Sequence, residues 1–241
     1  MEAVGQSANG VVHVLIGGIA LGIAFGAGGS ADQSGAMRAL GGTVLGGIAL
    51  WVVGIALVAL ALHAFVVAIA ASRGHRRDAL RAAGRGVGHA VVGGTALVFA
   101  TGGSIDGEAA TESVSAAVIA HPLGPWLLGA VGLVIAGVGI AFVLRGLRRK
   151  FFEDVAPPRR FRRLVEALGM PGFVAKGLAV LIVGGLFVVG AVRDEPRQTG
   201  GLDGALQSLT TVPGGVLSLV AIAAGLIVYG VYCVTRGIWA R

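Results

Sequence analysis

Charge is what this sequence lacks most, and cysteine is nearly absent. Only 13% of its 241 residues are charged and 55% are hydrophobic, against roughly 25% and 45–50% in a soluble domain. This composition excludes an ordinary water-soluble core. The single cysteine, Cys233, excludes an internal disulfide, and no spacing of Cys and His matches a zinc or haem-attachment motif. A nucleophile elbow, a His-Glu-x-x-His motif and a phosphate-binding loop are also missing. We therefore expect a protein that is not an enzyme and that needs no metal or other cofactor.

Glycine, by contrast, is abundant. It occupies 43 positions, without the every-third-residue period of collagen, and it lies inside runs of Val, Leu and Ala. Small residues allow helices to approach each other closely within a membrane. This composition therefore indicates a membrane helical bundle, and the row Gly18, Gly22 and Gly26 predicts a contact between two helices.

Six long uncharged tracts lie between the charged residues. A helix needs about 20 residues to cross a hydrocarbon core of roughly 30 Å, and each tract is about that long. The two-residue alternation of a membrane β-barrel strand is missing. The sequence therefore predicts an all-α integral membrane protein with six transmembrane helices. We place them at residues 9–27, 44–71, 86–103, 122–144, 173–192 and 213–237.

The basic residues gather on one side of these spans. Sixteen of the 19 Lys and Arg residues follow spans two and four, begin span five, or lie at or after the end of span six, whereas the opposite connections hold three basic and seven acidic residues. Cytoplasmic loops carry an excess of Lys and Arg. We therefore expect a multi-pass protein of the inner (plasma) membrane with both termini in the cytoplasm. The net charge of +7 is then a topology signal and does not indicate nucleic-acid binding. The N-terminus lacks the basic stretch of a secretory signal, so we expect the first apolar segment to be retained.

A phrase of the form Gly-x6-Gly-Gly occurs three times, beginning at Gly10, Gly86 and Gly177. Each copy together with the next span forms an αα-hairpin. The single membrane domain, residues 1–241, then divides into repeats at about 4–72, 80–150 and 165–241. Because each repeat has two spans, all three enter the membrane from the same side and are parallel repeats about an axis along the membrane normal. We expect a pseudo-threefold arrangement of the hairpins.

These phrases resemble those of a known bacterial family. The resemblance rests on the paired glycines, on the stretch Gly-Ser-Ala-Asp-Gln-Ser-Gly-Ala-Met-Arg-Ala-Leu at 29–40, and on Arg85-Gly86 and Lys176-Gly177. They are similar to the membrane family called domain of unknown function twelve-oh-six, common in actinobacteria, over nearly the whole chain. The resemblance implies six spans in three two-helix repeats and no particular activity. Where that family favours an aromatic residue, often Tyr, this chain has His13, His89 and Val180.

Four titratable side chains form a candidate polar site inside the membrane: His13, His63, His89 and Lys176. An ionisable residue within a membrane is by default a functional-site hypothesis. Three interpretations stay open, namely hydrogen bonding between helices, a polar substrate or proton site, and ligation of a haem or metal. The glycines predicted to pack helices together are Gly17, Gly18, Gly22, Gly26, Gly93, Gly94, Gly184 and Gly185.

Two of the connections carry patterns of their own. The outer motif consists of Asp32, Gln33, Ser34 and Arg38, in which Asp32 or Ser34 caps a short helix or the motif forms a recognition surface. The cytoplasmic connection, 145–170, is predicted to be a basic amphipathic linker whose helix lies on the membrane. In that linker the residues predicted to contact anionic lipids are Arg159, Arg160, Arg162 and Arg163; a cytosolic partner docking there is the alternative.

The function expected from these observations is structural or accessory, through packing with protein or lipid partners. One alternative is a transporter or channel for a small solute or ion at the pseudo-threefold axis, and a remote one is an intramembrane haem or redox protein. A continuous polar axis favours transport, whereas a sealed, glycine-packed centre favours the partner role. The sequence leaves the oligomeric state and the identity of any partner open.

Overall fold

Backbone polar groups inside a membrane must be satisfied within their own segment, which is why so apolar a chain folds as helices. The computed structural model describes residues 2–72 and 76–239; Arg73 and Arg241, counted above as cytoplasmic, lie outside the described residues. The α-helices in the described residues are α1 (Glu2–Ala24), α2 (Gln33–Gly41), α3 (Val44–Ala71), α4 (Arg76–Ala100), α5 (Gly107–Ile119), α6 (Gly124–Leu147), α7 (Arg162–Arg193), α8 (Gly201–Ser208) and α9 (Gly215–Trp239).

Each repeat consists of a long helix, a short helix and a second long helix. Four of the long helices, α3, α6, α7 and α9, are long and apolar enough to cross a membrane. In α1 the apolar part, Asn9–Ala24, is shorter, and α4 begins with a charged stretch, residues 76–85. By the length and composition of these helices the chain is a helical membrane protein.

The helices group into two compact units. The smaller unit comprises residues 37–105, and the larger unit comprises residues 1–36 and 106–241. The closest antiparallel pair in the smaller unit is α3 with α4, whereas in the larger unit α6 pairs with α7 and α1 with α9. Each pair joins the last helix of one repeat to the first helix of the next, and α9 with α1 continues this order from the third repeat back to the first. The closest contacts of α1, α4 and α7 therefore lie between repeats.

Glycines determine how closely α6 and α7 approach. A Cβ atom on Gly177 would lie 2.7 Å from the carbonyl oxygen of Gly139, and a Cβ atom on Gly184 would lie 2.7 Å from that of Gly132. Such distances are shorter than an ordinary contact of about 3.5 Å between heavy atoms. The two backbones therefore touch at points seven residues, or about two helical turns, apart.

The pair formed by α1 and α9 repeats this geometry. A Cβ atom on Gly10 would lie 2.6 Å from the carbonyl oxygen of Gly230, and one on Gly17 would lie 2.7 Å from that of Ala223. The two contacts are again seven residues apart on both helices. The first glycine and the eighth residue of the repeated phrase are thus the contact points of α1 and of α7.

The last helix of every repeat carries the matching small residues. In the smaller unit a Cβ atom on Gly93 would lie 3.1 Å from the carbonyl oxygen of Gly54. A small buried residue then recurs every seventh position along one face of α3, α6 and α9. These residues are Gly54, Ala61 and Ala68, then Gly132, Gly139 and Gly146, and finally Ala223, Gly230 and Gly237.

Several of the predicted packing glycines do not contact another helix. In each pair the first glycine, at 17, 93 or 184, is buried against a neighbouring helix, whereas a Cβ on Gly18, Gly94 or Gly185 would have no other atom of the described residues within 4 Å. Among the described residues, a Cβ atom on Gly22 would meet only the side chain of Ala27, which follows α1 in the sequence. Gly26 lies beyond the end of α1 and has a positive φ of 85°. The predicted row of Gly18, Gly22 and Gly26 is therefore wrong, because neighbouring helix positions point about 100° apart and only one of each pair can face the partner.

The connection between α6 and α7 also differs from the predicted surface helix. After α6 ends at Leu147 the chain makes two short 3-10 turns, and α7 then runs unbroken from Arg162 through Pro171 to Arg193. Val165 is fully buried and Leu168 packs beside it in an aromatic core. Val165 and Leu168 thus pack against the protein, whereas Leu164 is exposed. The predicted amphipathic turn is the first part of a long helix and not a separate segment.

Candidate polar and cationic site of the larger unit

The larger unit brings together two of the four titratable side chains predicted to form a polar site. Lys176 on α7 donates a hydrogen bond from Nζ to the hydroxyl of Tyr229 on α9 at 3.2 Å. Its Nζ also lies 4.4 Å from the centroid of the Tyr229 ring and 4.9 Å from that of Phe142. The His13 ring meets Tyr229 edge-on, with centroids 4.8 Å apart. Tyr229 therefore connects His13 and Lys176, at distances where cation–π attraction operates.

One hydrogen bond within α1 and one between α1 and α9 accompany this arrangement. His13 Nδ1 lies 2.8 Å from the carbonyl oxygen of Asn9 and, since a carbonyl only accepts, donates to it. Asn9 in turn donates from Nδ2 to Sγ of Cys233 at 3.4 Å. Asn9 and His13 are four residues apart on α1, and Tyr229 and Cys233 are four apart on α9, so each pair lies on one helix face.

The other two histidines of the predicted site, His63 and His89, belong to the smaller unit. His63 is exposed on α3, and His89 on α4 is half-buried. Nδ1 of His89 is buried and has no hydrogen-bond partner among the described residues. The same residues contain no group of three or more His, Cys, Asp or Glu side chains that could hold a metal ion.

An aromatic core, which the sequence analysis missed, lies beneath the cluster. It contains both tyrosines of the chain, Tyr229 and Tyr232, together with Phe151 and Phe173. Phe173 packs against Tyr229 and Tyr232 with centroids 5.2 and 5.4 Å apart, and Tyr232 donates to the carbonyl oxygen of Phe151 at 3.3 Å. The sequence did contain a signal for this core, because its two tyrosines lie three residues apart and next to the single cysteine.

A cationic group lies where α6 and α9 end. Nη2 of Arg145 on α6 lies 2.5 Å from Oδ2 of Asp154, and Nη1 of Arg236 on α9 lies 3.8 Å from the same oxygen. Arg145 also lies over the Phe173 ring, 5.6 Å from its centroid. In both arginines Nε is buried and has no hydrogen-bond partner within the part of the chain that the structure describes. Two cations therefore share one carboxylate.

The predicted lipid-contacting arginines lie nearby in sequence. Arg159, Arg160, Arg162 and Arg163 are all exposed. Arg160 and Arg162 lie over the rings of Phe161 and Phe152, at 4.6 and 5.3 Å from the centroids. Their positive charge is therefore available to a ligand at the surface.

The residues of the outer motif have different roles, because one caps a helix, one is buried and two are exposed. Oδ1 of Asp32 accepts a hydrogen bond from the backbone nitrogen of Gly35 at 2.8 Å, so Asp32 caps α2 as predicted. Ser34 is buried, whereas Gln33 and Arg38 are exposed. The four residues therefore do not form one continuous recognition surface.

Carboxylates also join the outer connections within the larger unit. Asp203 of α8 is only 3% exposed, and its Oδ1 accepts from the backbone nitrogen of Ala31 at 2.7 Å, which links the third repeat to the first. Burial, with smaller contributions from Asp32 and Asp106, raises the pKa of Asp203 above its usual range, while its hydrogen bonds act in the opposite direction. Burial, followed by the neighbouring Asp203, likewise raises the pKa of Glu108.

These features define a helical membrane protein made of three repeats that pack through glycines. The family described as Domain of Unknown Function (DUF1206) matches the chain three times, at residues 4–71, 80–149 and 171–240, so the chain belongs to this family and consists of three of its repeats. The chain is also 32% identical to the uncharacterized protein YxxB of Bacillus subtilis (strain 168) over 244 residues, covering 98% of this chain and 88% of that one. No solved structure gives a significant match.

Proposed function

We propose that this chain is a six-span protein of the inner (plasma) membrane, with both termini in the cytoplasm, that acts without catalysis by packing with lipid and protein partners. One observation carries this proposal: the helix pairs are closed by backbone contacts at glycine, while large apolar side chains cover the outside of α3 and α6. Only 22% and 17% of the most apolar stretches of these two helices are buried. Such surface is stable only against lipid or another apolar partner.

The repeated pairing order supports a pseudo-threefold arrangement. The same glycine contacts join α3 to α4, α6 to α7 and α9 to α1, so each repeat meets its neighbours through equivalent residues. A repeat with two spans also keeps the same orientation in each copy.

Topology can be tested with single cysteines in a Cys233→Ser background. We expect a membrane-impermeant maleimide to label Ser104→Cys and Thr211→Cys in intact cells, because these exposed residues lie in the outer connections. Ser72→Cys and Ala156→Cys should react only after the membrane is opened. Labelling of Ser72→Cys and Ser104→Cys from the same side would show that α4 does not cross, which would contradict six spans.

The accessory role has its own test. Extraction in a mild detergent is expected to retain a defined membrane-protein partner at constant stoichiometry, or a constant number of tightly held lipids seen by native mass spectrometry. A single species carrying neither would contradict the role.

Transport of a small anion is a second candidate, which the Lys176 cluster favours. Among the described residues no carboxylate lies within ion-pairing distance of Lys176 Nζ, although the residue sits in the middle of α7. If the chain conducts anions, purified protein in liposomes should give chloride flux that Lys176→Ala abolishes and that Arg85→Ala, at the equivalent position of the second repeat, leaves unchanged. Flux no greater than in protein-free vesicles would exclude chloride conduction.

A further inference from the structure

Arg145 and Arg236 occupy the same position in two repeats. Each lies six residues after a contact glycine, Gly139 or Gly230, and one residue before the next small residue of the same face. The corresponding residue of the first repeat is Val67. Because α6 and α9 are thus built alike, they deliver two guanidinium groups to one end of the larger unit.

Within the described residues, the ion pairs of these two arginines involve a single carboxylate. Both arginines contact the same oxygen of Asp154, whose side chain is 23% exposed. Arg149 on the same connection pairs with a different carboxylate, that of Glu166, at 2.8 Å. Two positive charges therefore share one negative charge, and an unpaired charge that is partly removed from water is costly.

Each of the two arginines also has a buried hydrogen-bond donor for which the described residues provide no acceptor. Arginine has five N–H donors, and the buried Nε of each of the two arginines has no acceptor within the described residues. A buried donor without a partner indicates a missing acceptor such as water or an anion. Because the deficit falls on both arginines of a pair that is short of negative charge, an anion satisfies both requirements at once.

We propose that Arg145 and Arg236 form a binding site for a phosphate group, which supplies the negative charge that Asp154 alone does not supply to the two guanidinium groups. Planar guanidinium groups match the oxygens of phosphate in charge and geometry. The side chains are 37% and 26% exposed, so the site opens at the protein surface. It lies at the ends of α6 and α9 that the basic residues assign to the cytoplasm, where the phosphate of an anionic phospholipid is at the right depth. This placement rests on the proposed topology, whereas the phosphate chemistry does not.

Purified full-length protein can be tested by thermal unfolding in detergent micelles containing phosphatidylglycerol, in micelles containing phosphatidylcholine, and in micelles with inorganic phosphate. We expect phosphatidylglycerol to raise the unfolding midpoint of the wild type and of Arg193→Gln, the charge-matched control, because Arg193 is an exposed arginine at the opposite end of α7. Arg145→Gln and Arg236→Gln should each weaken the apparent affinity at least tenfold. A shift with inorganic phosphate alone would support the site and indicate a soluble ligand.

Asp154→Asn separates a ligand site from a purely structural ion pair. Removing the competing carboxylate should strengthen binding of the anion, so the midpoint shift should be larger than in the wild type even if the variant is less stable without ligand. A smaller shift in Asp154→Asn, no shift with either anion in the wild type, or an equal loss in Arg193→Gln would overturn the proposal. If cysteine labelling contradicts the topology while these shifts hold, only the assignment of the leaflet fails.

Discussion

The glycine pair at 184 and 185 allows a matched test of helix packing. A Cβ atom on Gly184 would lie 2.5 Å from the backbone nitrogen of Ala136 on α6, whereas one on Gly185 would have no other atom within 4 Å in the part of the chain that the structure describes. Gly184→Ala therefore requires α6 and α7 to separate by about 1 Å to restore an ordinary contact of about 3.5 Å. Gly185→Ala requires no movement.

The magnitude follows from the difference between the two variants. Alanine is about 1 kcal/mol more favourable than glycine inside a helix, and this gain is the same at both neighbouring positions. The difference is thus the cost of overpacking alone, about 1–3 kcal/mol. With about 2–4 °C per kcal/mol for a chain of this size, Gly184→Ala should unfold roughly 2–12 °C below Gly185→Ala.

The chain supplies its own reporter for this measurement. Cys233, the single cysteine, is only 1% exposed, so a thiol-reactive fluorophore should label it only when the larger unit opens on heating. As an intermediate case, Gly132→Ala should cost less than Gly184→Ala, because its Cβ would lie no closer than 2.9 Å to any atom of α7. Equal midpoints for Gly184→Ala and Gly185→Ala would refute the proposed role of the first glycine.

Two further predictions concern the larger unit. Asn9→Cys should form a disulfide with Cys233 under mild oxidation, because Nδ2 of Asn9 lies 3.4 Å from Sγ of Cys233. The number of free thiols per chain should then fall from two to none. An equal loss of thiols in the exposed control Val11→Cys would contradict the α1–α9 pairing. For the outer carboxylates, burial raises the folded-state pKa of Glu108, so its charge costs stability at neutral pH and stability is gained as the pH falls through that raised value. Glu108→Gln should therefore raise the unfolding midpoint at pH 7 and flatten its dependence on pH, and an unchanged or lower midpoint at pH 7 would contradict this.

Much of the fold was predictable because each repeat is marked by the same spacing of glycines. Three copies of Gly-x6-Gly-Gly predict three repeats, and the family matches confirm them. The contact points within the phrase follow from the same spacing, since residues seven apart share a helix face. The helical class likewise follows from uncharged tracts of about 20 residues.

The candidate site was predicted only in part. His13 and Lys176 are both ionisable residues within apolar tracts, and the structure connects them through Tyr229. Tyr229 itself and the pair Arg145 and Arg236 were missed. Aligning the last helices of the second and third repeats would have matched the two arginines, because they follow glycines of the same face.

By itself the sequence determined that this chain is helical, apolar and threefold repeated, because these properties depend on composition and on spacing along the chain. Tertiary structure alone decided which glycine of each pair carries the contact, since adjacent residues point about 100° apart and the choice depends on where the partner helix lies. It also decided that α9 pairs with α1. Residues more than 200 positions apart, such as Gly10 and Gly230, meet only when two complementary helix faces allow their backbones to touch.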